Sequence, residues 1–88
     1  MPHLPASYTL TAHAAFVLAE RDIPMAWIAR ILEHPERTEP DRTDSELIHV
    51  LGRIPEFDNR VLRVIYNDTT VPRRIITAFF DRTQWDKI

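Results

Sequence analysis

A chain of 88 residues with a formal net charge of −2 and no cysteine reads as one small domain, residues 1–88, that relies on neither disulfides nor thiolate chemistry. Its slight acidity means that any nucleic-acid role must rest on a local basic cluster, and a single glycine, Gly52, is too few for glycine-rich phosphate loops. No run approaches the roughly 20 apolar residues of a membrane span and no leader is legible, so a reducing, cytoplasmic setting with no membrane partner is expected.

In chain order, Met1 to Ser7 carries Pro2 and Pro5 and reads as a disordered or extended arm over residues 1–7. Tyr8, Thr9 and Leu10 fit a short edge strand. Thr11 suits a helix N-cap, and Ala12 to Arg21 is rich in helix formers. Ala12, Ala15, Phe16 and Ala19 share one stripe and are the expected buried face; His13, Val17 and Arg21 lie on the neighbouring one. Pro24 breaks this helix and opens a second, in which Trp27, Ile28, Ile31 and Leu32 form a strong apolar stripe. Pro35 ends it, leaving His34 to complement the dipole at its C-terminus.

Glu36 to Ser45 is charged and holds Pro40, so it reads as a solvated connector with a short extended piece near Thr38. Asp41, Asp44 and Glu46 are expected to face solvent. Glu46 to Arg53 reads as a strand, and Pro55, Asp58 and Asn59 punctuate the turn after it. Arg60 to Phe80 reads as two strands joined by Asn67, Asp68, Thr69, Thr70 and Pro72, which supply turn chemistry. Residues 83–88 form a tail whose Trp85 either docks or frays. Helices followed by strands predict an α+β domain: two N-terminal helices on one face of a three- to four-stranded antiparallel sheet.

Pairing Ile48 with Val64 and Val64 with Ile76 centres both turns. It puts Ile48, Val50, Leu62, Val64, Ile76, Ala78 and Phe80 on the helix-covered face. The other face then carries Leu47, Leu51, Val61, Ile65, Ile75 and Phe79, with His49, Arg63 and Thr77 in one polar row and Arg73 nearby. In that register Arg63 faces Thr77, and Asn67 faces Arg73 at the turn. A polar centre in apolar surroundings suits a binding surface, or a face covered by the tail or by a second copy.

With these residues placed, the chain resembles a family of small, mostly bacterial and archaeal domains catalogued as a domain of unknown function. The resemblance rests on HAAFVLAER from His13 to Arg21, IPMAWIARIL, HPE, VLRVIY and the closing ITAFF, and runs from Tyr8 to Arg82. That family looks related to the RelE- and BrnT-type toxins, compact α+β ribonucleases that cut RNA without a metal and are neutralised by a partner. The resemblance implies an endoribonuclease of a toxin–antitoxin pair, with RNA and an antitoxin as partners, and marks His13, Arg21 and Thr77. His49 comes from the register alone.

Metal-free RNA cleavage needs a base, an acid and cations around the phosphorane. His13 and His49 are the candidate acid–base residues, with Glu20 a weaker base. Arg63 and Thr77 complete the candidate catalytic set, and Arg21 and Arg73 are candidate phosphate-binding residues. Each has a plainer reading: His13 as a structural hydrogen-bonder, Arg21 as a carbonyl cap, His49 and Thr77 as a cross-strand pair, Arg73 as a solvated cation. With no HxxxH or HxH spacing, neither a metal nor another cofactor is expected. The alternative is a non-catalytic protein-binding or homodimerising module that uses the same face.

Overall fold

Thr11 sets the first helix. In the computed structural model, which describes residues 4–88, its hydroxyl oxygen accepts the Ala14 N–H at 3.0 Å and its O–H donates to the Ile75 carbonyl at 3.1 Å. One side chain thus caps helix α1 (Ala12–Glu20) and ties it to the sheet. Helix α2 (Met25–Glu33) starts after Pro24 and ends at His34. The strands are β1 (Tyr8–Leu10), β2 (Arg37–Pro40), β3 (Leu47–Ile54), β4 (Arg60–Asn67) and β5 (Arg73–Phe80). Single 3-10 turns occupy Pro55–Phe57 and Arg82–Gln84.

The fold is α+β, as expected, but the sheet has five strands in the order β1-β5-β4-β3-β2 and is mixed, not three- to four-stranded antiparallel. The difference lies at the two edges. Tyr8–Leu10 pairs parallel with the start of β5. Arg37–Pro40 pairs antiparallel with β3, so much of the expected connector is a strand and a tight turn. Asp41 builds that turn: its Oδ2 accepts from the Thr43 and Asp44 amides and from the Thr43 hydroxyl. Residues 4–7 of the arm are tied to the domain. Leu4 packs against the core and Tyr8 N–H donates to the Pro5 carbonyl; Met1 to His3 lie outside the described residues.

Both helices cover one face of the sheet. Ile28, Ile31 and Leu32 of α2 are buried there, and Trp27 stacks on Phe57 and meets Phe80 edge-on. On α1 the buried residues are Ala14, Val17 and Leu18, while Ala12, Ala15, Phe16 and Ala19 face outward, opposite to expectation. Alanines ring this helix, so its two bulky aliphatics decide which side is buried. Arg21 then fixes the rotation, with Nη1 donating to the Ala78 carbonyl at 2.8 Å.

The observed register pairs Val50 with Val64 and Val64 with Ala78. Each pairing slides by two residues from the expected one, which keeps every side chain on its face up to Ala78. A bulge at Ile65/Tyr66 then shifts the β5 pairing. Ile75 therefore joins the core, fully buried beside Tyr66, and Ile76 is only partly buried. Consequently Arg63 faces Phe79, and Asn67 faces Arg74. On the opposite face Leu51 and Val61 are also buried. The C-terminal segment reaches β4: Asp81 N–H donates to the Val61 carbonyl at 2.9 Å, Arg82–Gln84 contacts the strand, and Arg53 binds the carbonyls of Trp85 and Ile88. The tail is docked.

Candidate functional site

Alternation along β2 turns Arg37 and Glu39 toward the face opposite the helices, and Asp41 continues the pattern at the turn. Glu39 is paired with His49 on β3, and Leu51, two residues on, is paired with Arg63 on β4. Arg63 is therefore a diagonal neighbour of His49, within reach of a long side chain.

The resulting contacts are continuous. Asp41 Oδ1 lies 2.6 Å from His49 Nε2, and Arg63 Nη1 lies 2.7 Å from His49 Nδ1. The same Nη1 donates to Glu39 Oε1 at 2.9 Å, and Arg63 Nε donates to Asp81 Oδ2 at 2.8 Å. Arg37 reaches Glu39 at 3.4 Å and donates to Gln84 Oε1. A guanidinium only donates, so His49 accepts at Nδ1 and carries its proton on Nε2, facing Asp41. The hydrogen bond from His49, followed by those from the Asp44 and Thr43 amides, holds Asp41 down at about 2. Glu39 is lowered first by its hydrogen bond from Arg63. Burial pushes Asp81 up, but hydrogen bonds from Thr83 and Arg63 together outweigh it and leave that carboxyl below its ordinary value. The Arg63 side chain is only 9% exposed, and such a cation persists only with partners of this kind.

These side chains floor and wall an open groove of about 720 Å³, with Phe79 on one side and Arg42 at the rim. Of the residues singled out from sequence, His49 and Arg63 are brought together. Thr77 lies on the same face across Ile65 from His49, half-buried, and makes no side-chain hydrogen bond to either one among the described residues. The others lie elsewhere. His13 is exposed on α1, on the far side of the sheet. Arg21 caps the Ala78 carbonyl, and Arg73 pairs with Asp68 at 2.9 Å and lies over the Tyr8 ring. The sequence reading passed over Asp41, Glu39, Asp81, Arg37 and Gln84. The one legible signal for them was the alternation Arg37, Glu39, Asp41, which puts three charges on one side of an extended segment. Among the described residues, no three His, Asp or Glu side chains converge as a metal-ligating group, and no helix is long and apolar enough to cross a membrane.

Residues 10–80 match a family described as a domain of unknown function, DUF4258. No curated protein and no solved structure matches the chain.

Proposed function

The chain belongs to the DUF4258 family, and from that premise we propose that it is a metal-independent endoribonuclease of the RelE/BrnT kind, restrained by an antitoxin, with His49 as its general base and Asp41 orienting it. The observation that carries the reading is the run of contacts from Asp41 through His49 to Arg63, 2.6 and 2.7 Å long. It joins an ionised carboxylate, an imidazole and a guanidinium on one groove floor.

In the free chain both imidazole nitrogens are engaged. A phosphodiester entering the groove competes with His49 for the Arg63 guanidinium, which binds phosphate oxygens through paired N–H donors. Once Arg63 turns to the phosphate, His49 Nδ1 is open and takes the proton of the 2′-hydroxyl. Asp41, facing Nε2–H, stabilises the imidazolium. The 2′-oxygen bonds to phosphorus, Arg63 stabilises the charged phosphorane, and the 5′-oxygen departs with a proton from water, whose hydroxide then takes the proton back from His49. The product is a 2′,3′-cyclic phosphate. His13, Arg21 and Arg73 stand outside this chemistry, because each lies away from the groove.

The test is incubation of labelled RNA with the purified chain in a metal chelator. Wild type yields cyclic-phosphate ends, and His49→Gln cuts the rate at least about 100-fold, the usual worth of a positioned base. Its melting temperature should stay close to wild type. RNA left intact by the wild-type chain sinks the reading.

A second reading is favoured by charge. Glu39, Asp41 and Asp81 offset Arg37, Arg42 and Arg63, and His49 is neutral, so the groove offers a polyanion little net attraction. On this reading the face holds a protein partner or a second copy. Light scattering then finds a dimer that Phe79→Asp disrupts, and a monomer at high concentration rules out the homodimer.

A further inference from the structure

We propose that the cavity between the β3–β4 turn and the C-terminal turn binds a nucleobase of single-stranded RNA, stacked on Trp85, with Arg60 and Arg82 on the flanking phosphates. The choice of RNA rests on the ribonuclease reading; the subsite rests on the cavity itself. Its volume is about 520 Å³, and its walls include Asp58, Arg60, Phe80, Arg82 and Trp85. That volume falls in the range of small-ligand sites.

The walls are held before any ligand arrives. Trp85 is 60% exposed, yet it is fixed from behind. Arg53 donates Nη2 to the Trp85 carbonyl at 2.6 Å and Nε to the Ile88 carbonyl at 2.9 Å, and its guanidinium lies 5.7 Å from the indole centroid. Phe80 is braced by Phe57, with centroids 4.8 Å apart. An exposed indole held in place gives a base a stacking surface at little ordering cost.

The cations at this cavity differ from Arg37 and Arg63 on the groove floor. Arg37 and Arg63 are committed to carboxylates, Arg73 to Asp68 and Arg30 to Glu56. Arg60 and Arg82 are exposed and make no ion pair among the described residues; Arg60 lies over the Phe57 ring, 4.4 Å from its centroid. Such guanidinia contact phosphate without breaking an existing pair, and aromatics flanked by arginine are how single strands are held without base pairing. Asp81 also lines the cavity, but its carboxylate is spent on Arg63 and Thr83. Because Asp81 walls both spaces, a strand whose base stacks on Trp85 runs its next phosphates toward His49.

The experiment is fluorescence anisotropy of a labelled 2′-O-methyl RNA octamer, which lacks the 2′-hydroxyl and cannot be cut. Wild type binds saturably; Trp85→Ala, shown folded by circular dichroism, weakens binding about tenfold, the worth of one stacked base. Trp85→Phe keeps a stacking ring and stays within a few-fold of wild type. The double change Arg60→Ala, Arg82→Ala lowers the salt slope by about 1.4, two single-strand phosphate contacts. Wild-type affinity in Trp85→Ala, or no binding by wild type, overturns the proposal. Cleavage of unmodified RNA that ignores Trp85 removes the subsite and leaves the nuclease; Trp85-dependent binding without cleavage keeps the subsite and removes the nuclease.

Discussion

Arg63 is the residue on which the polar layer depends, because Glu39, Asp81 and His49 all face it within 2.9 Å. Removing one partner of a buried charged cluster leaves the others desolvated and unpaired. Arg63→Ala should therefore cost about 3 kcal/mol, the low end for such losses because Glu39 keeps part of its hydration. A fall in stability under 1 kcal/mol on chemical denaturation would show that the layer is solvated. For that reason His49→Gln, not Arg63→Ala, is the clean probe of chemistry. His49 and Arg63 were legible because strand alternation alone puts them on one face. Asp41 was not, since a carboxylate in a run of charges beside prolines carries the signature of a solvated connector. Only the turn it builds for itself aims it inward. Gly52 was equally silent: a Cβ there would meet Ile31 Cδ1 at 2.6 Å, so the end of the Ile31 side chain sits directly on the strand, with no sequence signal of its own.

At the scale of elements, legibility followed side-chain contrast. Helix α2 alternates bulky apolar and polar residues, so its buried stripe could be read directly. Helix α1 has alanine on both sides, and its orientation is decided by contacts distant in sequence, chiefly Arg21 to the Ala78 carbonyl. That carbonyl lies beyond Leu10, where β1 stops covering β5, so Arg21 satisfies a strand edge. Arg21→Ala should cost about 1 kcal/mol, one hydrogen bond, and speed amide exchange at the end of β5. Octamer affinity should stay at the wild-type level. Affinity that falls while stability holds would instead make Arg21 a phosphate ligand. The slide of two residues in both sheet pairings was invisible to pattern, because period-two alternation fixes the face of a strand but not its partner. The bulge that exchanges Ile75 for Ile76 was invisible too, since both are isoleucine.

For the whole molecule, the acidic groups convert the same geometry into a pH dependence. Glu39, Asp41 and Asp81 join β2, its turn and the C-terminal turn to β3 and β4, and Glu56 joins the β3–β4 turn to α2 through Arg30. All four carboxyls lie below their ordinary values; Asp41 is held at about 2 by His49 and neighbouring amides, and Glu56 at about 2 by Arg30. The unfolded chain regains ordinary carboxyl values near 4, so between about 4 and 2 it binds more protons than the folded chain. Stability from these contacts is therefore complete above about pH 5 and is lost as the pH falls toward 2. The melting temperature should be level from about pH 7 to 5 and then drop. Asp41→Asn should start lower at neutral pH and fall less steeply, because one of the four groups no longer titrates. A wild-type curve flat down to pH 2 would mean that these ion pairs do not form in solution, and the orienting role given to Asp41 would fall with them. A steep curve that Asp41→Asn leaves unchanged would assign the acid sensitivity to the remaining carboxyls, and His49 would then need another group to hold its Nε2 proton.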